Sequence, residues 1–147
     1  MMLSGGFSAF RIVNDLRVLA PIETFGLGAR GFNVYTGTVR LAEFDRLVTH
    51  ADGAIGIQIG QPVGRVVVHR GIETFGGTGQ PLVKGVITTL SAIGLSVKSG
   101  RSAQAVEIDG GIITNGTGIS PIELDGAIGA FRVSGGLMAA GGALAKT

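Results

Sequence analysis

Leu47-Val48-Thr49-His50-Ala51-Asp52-Gly53-Ala54-Ile55-Gly56-Ile57-Gln58-Ile59 reads as a short β-segment, a glycine-bearing turn and a second β-segment. Its opening recurs as Ile22-Glu23-Thr24-Phe25-Gly26, Ile72-Glu73-Thr74-Phe75-Gly76, Ile112-Ile113-Thr114-Asn115-Gly116 and, in degraded form, Leu137-Met138-Ala139-Ala140-Gly141. The intervals between these anchors are 25, 25, 40 and 25 residues. A fixed period in this range marks a repeat fold, in which each unit buries its apolar side only by stacking on its neighbours.

The columns of the repeat are chemically consistent. The anchor is Ile or Leu in all copies, and two residues later stand Thr24, Thr49, Thr74, Thr114 and then Ala139. Four residues after the anchor the side chain is small: Gly26, Ala51, Gly76, Gly116, Gly141. Alternate residues of a strand share a face, so these three positions line one side. Six before the anchor come Leu16, Leu41, Val66, Val106 and Phe131; four before it come Val18, Glu43, Val68, Ile108 and Val133, with Glu43 out of character. Ten after it come Phe32, Ile57, Leu82 and Ile122. Each unit therefore carries three short strands with inward apolar residues, joined by glycine-rich bends. Stacked units form three parallel sheets around one core. A β-sandwich also has short, turn-bounded strands, but it has no reason to hold residue types in register at this period.

Segments of the form Ile-x-Thr-x-Gly followed by Ala-x-Gly-Ile-x-Ile, best kept in Leu47 to Ile59 and in Ala92 to Val97, resemble the coils of right-handed parallel β-helices. Bacterial autotransporter passengers and pectin-lyase-like domains are the nearest in kind. The resemblance spans roughly residues 15 to 141. It implies an all-β, single-stranded, right-handed parallel β-helix of about six irregular coils of roughly 20–25 residues.

The whole chain, 1–147, reads as one such domain. Residues 1–14, with Phe7, Phe10, Ile12 and Val13, are too apolar for a free tail and read as a cap over the open core. Residues 137–147 start a further coil and stop. The long interval from Ile72 to Gly111 is either one coil with a 15-residue excursion or two shortened coils, the second starting near Ile93. The strand-like Val86-Ile87-Thr88-Thr89-Leu90 favours two coils, because a surface loop would waste that apolar content. An excursion would instead be the natural place for function.

Composition removes several function classes. Twelve basic and ten acidic residues leave a net charge of +2, so the pI of 9.5 reflects a small excess. With one Tyr, no Trp and no run of Lys or Arg, nucleic-acid binding has little support. The absence of Cys excludes thiol chemistry and disulfides. Two His in different columns give no metal constellation, and no cofactor is expected. No phosphate-binding loop or nucleophile elbow is present. No basic-then-apolar start marks a secretory leader, which makes the cytoplasm the default expectation, and no apolar tract is long enough for a membrane-spanning helix. Asn115-Gly116-Thr117 fits a glycosylation sequon but reads better as a turn after a strand. The threonine column has the inward phase, unlike the outward Thr arrays of ice-binding solenoids.

Three sets of outward residues are candidate sites. Neighbouring rungs lie about 4.8 Å apart, so residues of one column touch. Asp45, His69, Arg70 and Asp109 fall on one side and could bind or cleave a sugar polymer. Parallel β-helix lyases and hydrolases, which the coils resemble, carry acid/base residues on such a face. The competing reading is an exposed Asp45–Arg70 ion pair beside solvated neighbours, worth about 0–1 kcal/mol. Glu23 and Glu73 lie two rungs apart, about 9.6 Å, near the wide separation of inverting glycosidases; two solvated glutamates are the simpler reading. Phe25, His50 and Phe75 form an outward line. Such a line serves as an interface with a second subunit, as a strip covered by a neighbouring segment, or as an aromatic platform for a sugar. The expected function is a non-catalytic structural or binding module that self-associates, a homo-oligomer joined through Phe25 and Phe75 or through a coil end. The alternative is a carbohydrate-binding or carbohydrate-active protein with a saccharide ligand.

Overall fold

The computed structural model describes residues 2–3, 7–9, 12–34, 37–83 and 85–142. Every regular element among them is a strand. The first coil holds β1 (Met2–Leu3), β2 (Phe7–Ala9) and β3 (Ile12–Val18). The second holds β4 (Ile22–Thr24), β5 (Phe32–Val34) and β6 (Thr38–Phe44). The third holds β7 (Leu47–Thr49), β8 (Ile57–Ile59) and β9 (Val63–Val68). The fourth starts with β10 (Ile72–Thr74) and is then interrupted by β11 (Thr78–Gly79), β12 (Leu82–Val83), β13 (Val86–Ile87) and β14 (Leu90–Ser91). It resumes with β15 (Leu95–Val97) and β16 (Ser102–Ile108). The fifth holds β17 (Ile112–Thr114), β18 (Ile122–Leu124) and β19 (Ala127–Val133), and β20 (Leu137–Ala139) begins another turn.

Equivalent strands stack in parallel into three sheets: β1-β4-β7-β10-β17-β20, β2-β5-β8-β15-β18 and β3-β6-β9-β16-β19. The architecture is the expected parallel β-solenoid, with about five turns instead of six. The segment read as a cap supplies β1, β2 and the start of β3, which pair in parallel with the second coil. Of its residues, Phe10 lies outside the described set, as do Ala143 to Thr147 of the tail.

Alternation explains the core. In β7 the pattern is buried, half-buried, buried, and β4, β10 and β17 repeat it. Ile22, Leu47, Ile72 and Ile112 stack as one fully buried column, and Phe32, Ile57 and Leu95 as another. Phe32 also packs on Phe44, ring centroids 4.9 Å apart. The corner before the second sheet is tight: a Cβ on Gly56 would lie 2.5 Å from Gly94 O, and one on Gly31 2.6 Å from Gly56 O. Only glycine lets successive rungs approach so closely there.

Two register readings need correction. In the third sheet Phe44 pairs with Val68 and Ala42 with Val66, so the inward residues of β6 are Ala42 and Phe44, not Leu41 and Glu43. The corner from Phe44 to Leu47 is one residue shorter than its equivalents, and this slip explains the out-of-character Glu43: it faces outward. Leu82 does not follow Ile57 in the second sheet; Leu95 does.

The interval from Ile72 to Gly111 is one coil with an excursion, not two short coils. β11 pairs antiparallel with β14 and β12 with β13, separately from the three parallel sheets. Leu82, Val86 and Ile87 are 70%, 63% and 67% exposed, so the apolar content read as core is spent on a surface hairpin. The insertion point is legible in one repeated hydrogen bond. Thr49 Oγ1 donates to Ala54 O and Thr114 Oγ1 to Ile119 O, five residues on; Thr74 Oγ1 donates to Ala92 O, eighteen residues on. Thirteen extra residues thus enter at one corner without disturbing its closure. Two more enter between Val97 and Ala103, where the third coil needs only Ile59 to Val63.

Candidate functional site

Asp45, His69, Arg70 and Asp109 lie on the corner that follows the third sheet, continuous with its outer face, and adjacent rungs neutralise one another. Arg70 donates to both oxygens of Asp45, Nε and NH2 each at 2.6 Å. His69 does not meet Asp109; its Nε2 lies 2.6 Å from Glu43 Oε2, and Arg17 donates to the other Glu43 oxygen at 3.0 Å. Asp109 accepts from Ser134 Oγ at 2.8 Å and lies 3.8 Å from Arg132. Arg65 and Arg132 flank Glu107, and Arg40 pairs with Asp15. The strands lie one spacing apart, so each cation reaches a carboxylate on the next rung.

These contacts fix the acid chemistry of the face. The bonded His69 side chain holds the Glu43 carboxyl below its ordinary range, with Arg17 adding to it against partial desolvation. Arg70 does the same for Asp45, and Arg65 for Glu107. A glycosidase general acid needs its carboxyl raised so that it carries a proton near neutrality. Here the shift runs the other way.

Glu23 and Glu73 are engaged separately. Glu23 Oε1 lies 2.5 Å from His50 Nε2. Glu73 accepts from Arg46 at 2.8 Å and from Asn115 at 3.0 Å. Val48 stands between them, and the aromatic line runs alongside, two residues further on each rung. Phe25 and His50 stack with centroids 4.5 Å apart and planes 4° from parallel; His50 and Phe75 follow at 5.2 Å and 5°. The rings cover one another's faces, so His50 offers no open face to a flat sugar ring. About half of each Phe remains exposed.

A groove of ≈ 440 Å³ lies between the hairpin and the outer face of the second sheet. Arg30, Gln58 and Gln61 come to it from the second and third coils, Thr88 and Leu90 from the hairpin, and Lys98 and Arg101 from the turn after β15. Pro81 of the hairpin abuts Gly28, and Leu90 abuts Gly53, where a Cβ would collide at 2.5 Å and crowd at 3.2 Å. The hairpin is thereby laid back over the corners of the two preceding coils. Sequence reading missed this groove. Arg30 lies far in the chain from Lys98 and Arg101, and only the excursion reading would have pointed to the place.

The rung formed by β18, β19 and β20 is the fourth notable surface. Leu124, Phe131 and Leu137 stand in register with Val97, Val106 and Ile112. The latter three are fully buried, whereas the former are 41%, 37% and 46% exposed.

Among the described residues no group of three or more His, Asp or Glu is placed to hold a metal ion, and no helix is long and apolar enough to cross a membrane. No protein-family profile, curated protein or solved structure matches the chain, so the fold and these surfaces stand as the basis for a functional reading.

Proposed function

We propose that the protein is a non-catalytic structural module that associates with copies of itself through the rung formed by β18, β19 and β20. The observation that carries this reading is the contrast within single columns: Leu124, Phe131 and Leu137 are inward residues, yet each is more than a third exposed while its neighbour one rung back is fully buried. Exposed core residues beside unpaired strand edges favour association. A second copy supplies a suitable occupant. Among the described residues β1, β2 and β3 are the outermost strands of the same three sheets at the opposite pole, so each of β18, β19 and β20 has a counterpart edge in a second copy. Such a head-to-tail contact is heterologous and continues in one direction instead of closing as a dimer.

The Phe25–His50–Phe75 line is the weaker interface, because its rings already spend their faces on stacking. The carbohydrate-active reading of Asp45, His69, Arg70 and Asp109 is disfavoured by the ion pairs that occupy them and by the lowered Asp45 carboxyl. Light scattering on two variants separates the two interfaces. Leu137→Asp is expected to return the particle to the 14.9 kDa monomer, while the Phe25→Ser/Phe75→Ser pair leaves the mass of the parent. The reverse result, or a monomeric parent, would overturn the proposal.

A further inference from the structure

We infer that the groove beneath the hairpin is a binding site for a small anionic, hydroxyl-bearing ligand, of the size of an acidic mono- or disaccharide. The inference begins from where the period fails. The fourth coil has two insertions, the thirteen residues at the corner before β15 and the two residues in the turn after it. Both line the same groove: Leu90 and Thr88 belong to the first, and Lys98 and Arg101 close the second. The rest of the solenoid keeps its corners short, so the two departures converge on one place.

The lining is chemically one-sided. Among the described residues three cations, Arg30, Lys98 and Arg101, face it and no Asp or Glu does. Arg30 is held in position, Nε donating to Gln58 Oε1 at 2.9 Å and NH1 to Gly28 O at 2.8 Å. Lys98 and Arg101 are the ends of a β-turn closed by Arg101 N donating to Lys98 O at 3.1 Å, with Gly100 at φ 73°. That left-handed residue suits glycine at the third position of the turn. Lys98 lies 3.6 Å from Glu123, outside the groove. The Arg101 side chain is exposed and has no ion-pair or hydrogen-bond partner among the described residues. Gln58 and Thr88 add amide and hydroxyl groups for a ligand's hydroxyls, and Leu90 adds an apolar wall. The volume is within the usual range of small-molecule clefts, about 300–1,000 Å³. Guanidinium groups match carboxylate and phosphate oxygens in forked geometry.

Carboxylate and phosphate share this chemistry, and titration calorimetry with three probes distinguishes them: digalacturonate, glucose 6-phosphate and neutral cellobiose. At least one anionic probe is expected to bind saturably, with the preferred one naming the source, and cellobiose is expected not to bind. Arg101→Ala, at an exposed position, is expected to keep the melting temperature and weaken binding at least tenfold. Removal of Thr78 to Leu90 should abolish it. Absence of saturable binding by both anions, equal binding of cellobiose, or unchanged affinity in Arg101→Ala would each overturn the inference. The self-association reading is independent of these outcomes.

Discussion

Two successive rungs at one pole of the stack carry equivalent residues in the same register and treat them differently. Val97, Val106 and Ile112 are sealed; Leu124, Phe131 and Leu137, one rung on, are not. In a solenoid, burial is a property of the stack and not of the strand. A column is inside only where another rung lies on it. The contrast teaches that the hydrophobic pattern reports which way a side chain points, and the neighbouring rung decides whether it is covered.

The largest effect that sharpens this contrast is in core truncation. Ile112→Ala should cost about 3 kcal/mol by denaturant unfolding, the usual scale for a buried Ile that leaves a cavity. Leu137→Ala, at low protein concentration, should cost less than about 1 kcal/mol, since its side chain is only partly removed from water. Equal costs would break the comparison.

The threonine column offers a second test. Thr114→Val removes a buried hydroxyl that donates to Ile119 O and strands that carbonyl. A loss of about 1–3 kcal/mol is expected. Thr24 is equally buried, but its Oγ1 has no hydrogen-bond partner among the described residues. Thr24→Val should therefore be neutral or raise the melting temperature. The sign difference between the two variants is the readout.

Removing Thr78 to Leu90 restores the five-residue spacing between Thr74 and Ala92. Shortening the loop this way lowers its closure cost by about 1 kcal/mol, offset by the lost packing of Pro81 and Leu90 on Gly28 and Gly53. Net stability should stay within about 1 kcal/mol of the parent, with the β signature of circular dichroism retained. Collapse of the fold would show that the hairpin is structural.

The smallest effects belong to the third-sheet face. Arg70→Ala should change stability least of these variants, because the pair with Asp45 is exposed and screened by solvent. The pH dependence has a defined sign. Glu43, Asp45 and Glu107 have folded-state values below their unfolded ones. Their contribution is present above the ordinary carboxylate range and lost as pH falls through the lowered values. Thermal melts should fall on acidification below that range, and less so in Arg70→Ala.

Much of the fold was legible because it rests on repetition. The anchors, the threonines and the three inward strands per unit are all local patterns with a common period. What was missed is not periodic. The slip that turns Glu43 outward and Phe44 inward changes one corner by one residue, and alternation alone is blind to that. The hairpin was misread because Leu82, Val86 and Ile87 have the composition of core strands and spend it on an exposed β-hairpin. The Asp45–Arg70 pair and the Phe25–His50–Phe75 line were foreseen as columns, since rung stacking dictates them. The partnership of His69 with Glu43 depends on the register slip and was not. The basic groove was invisible because its cations come from two coils, Arg30 from the second and Lys98 and Arg101 from the fourth, brought together by the stack.

The central claim is best tested by hydrogen exchange of the intact protein across a range of concentrations. End-to-end association predicts that amides of β18 to β20 and of β1 to β3 gain protection together as concentration rises, while those around Phe25, His50 and Phe75 do not change. Protection that stays constant at both poles, or that grows along the aromatic line instead, would contradict it.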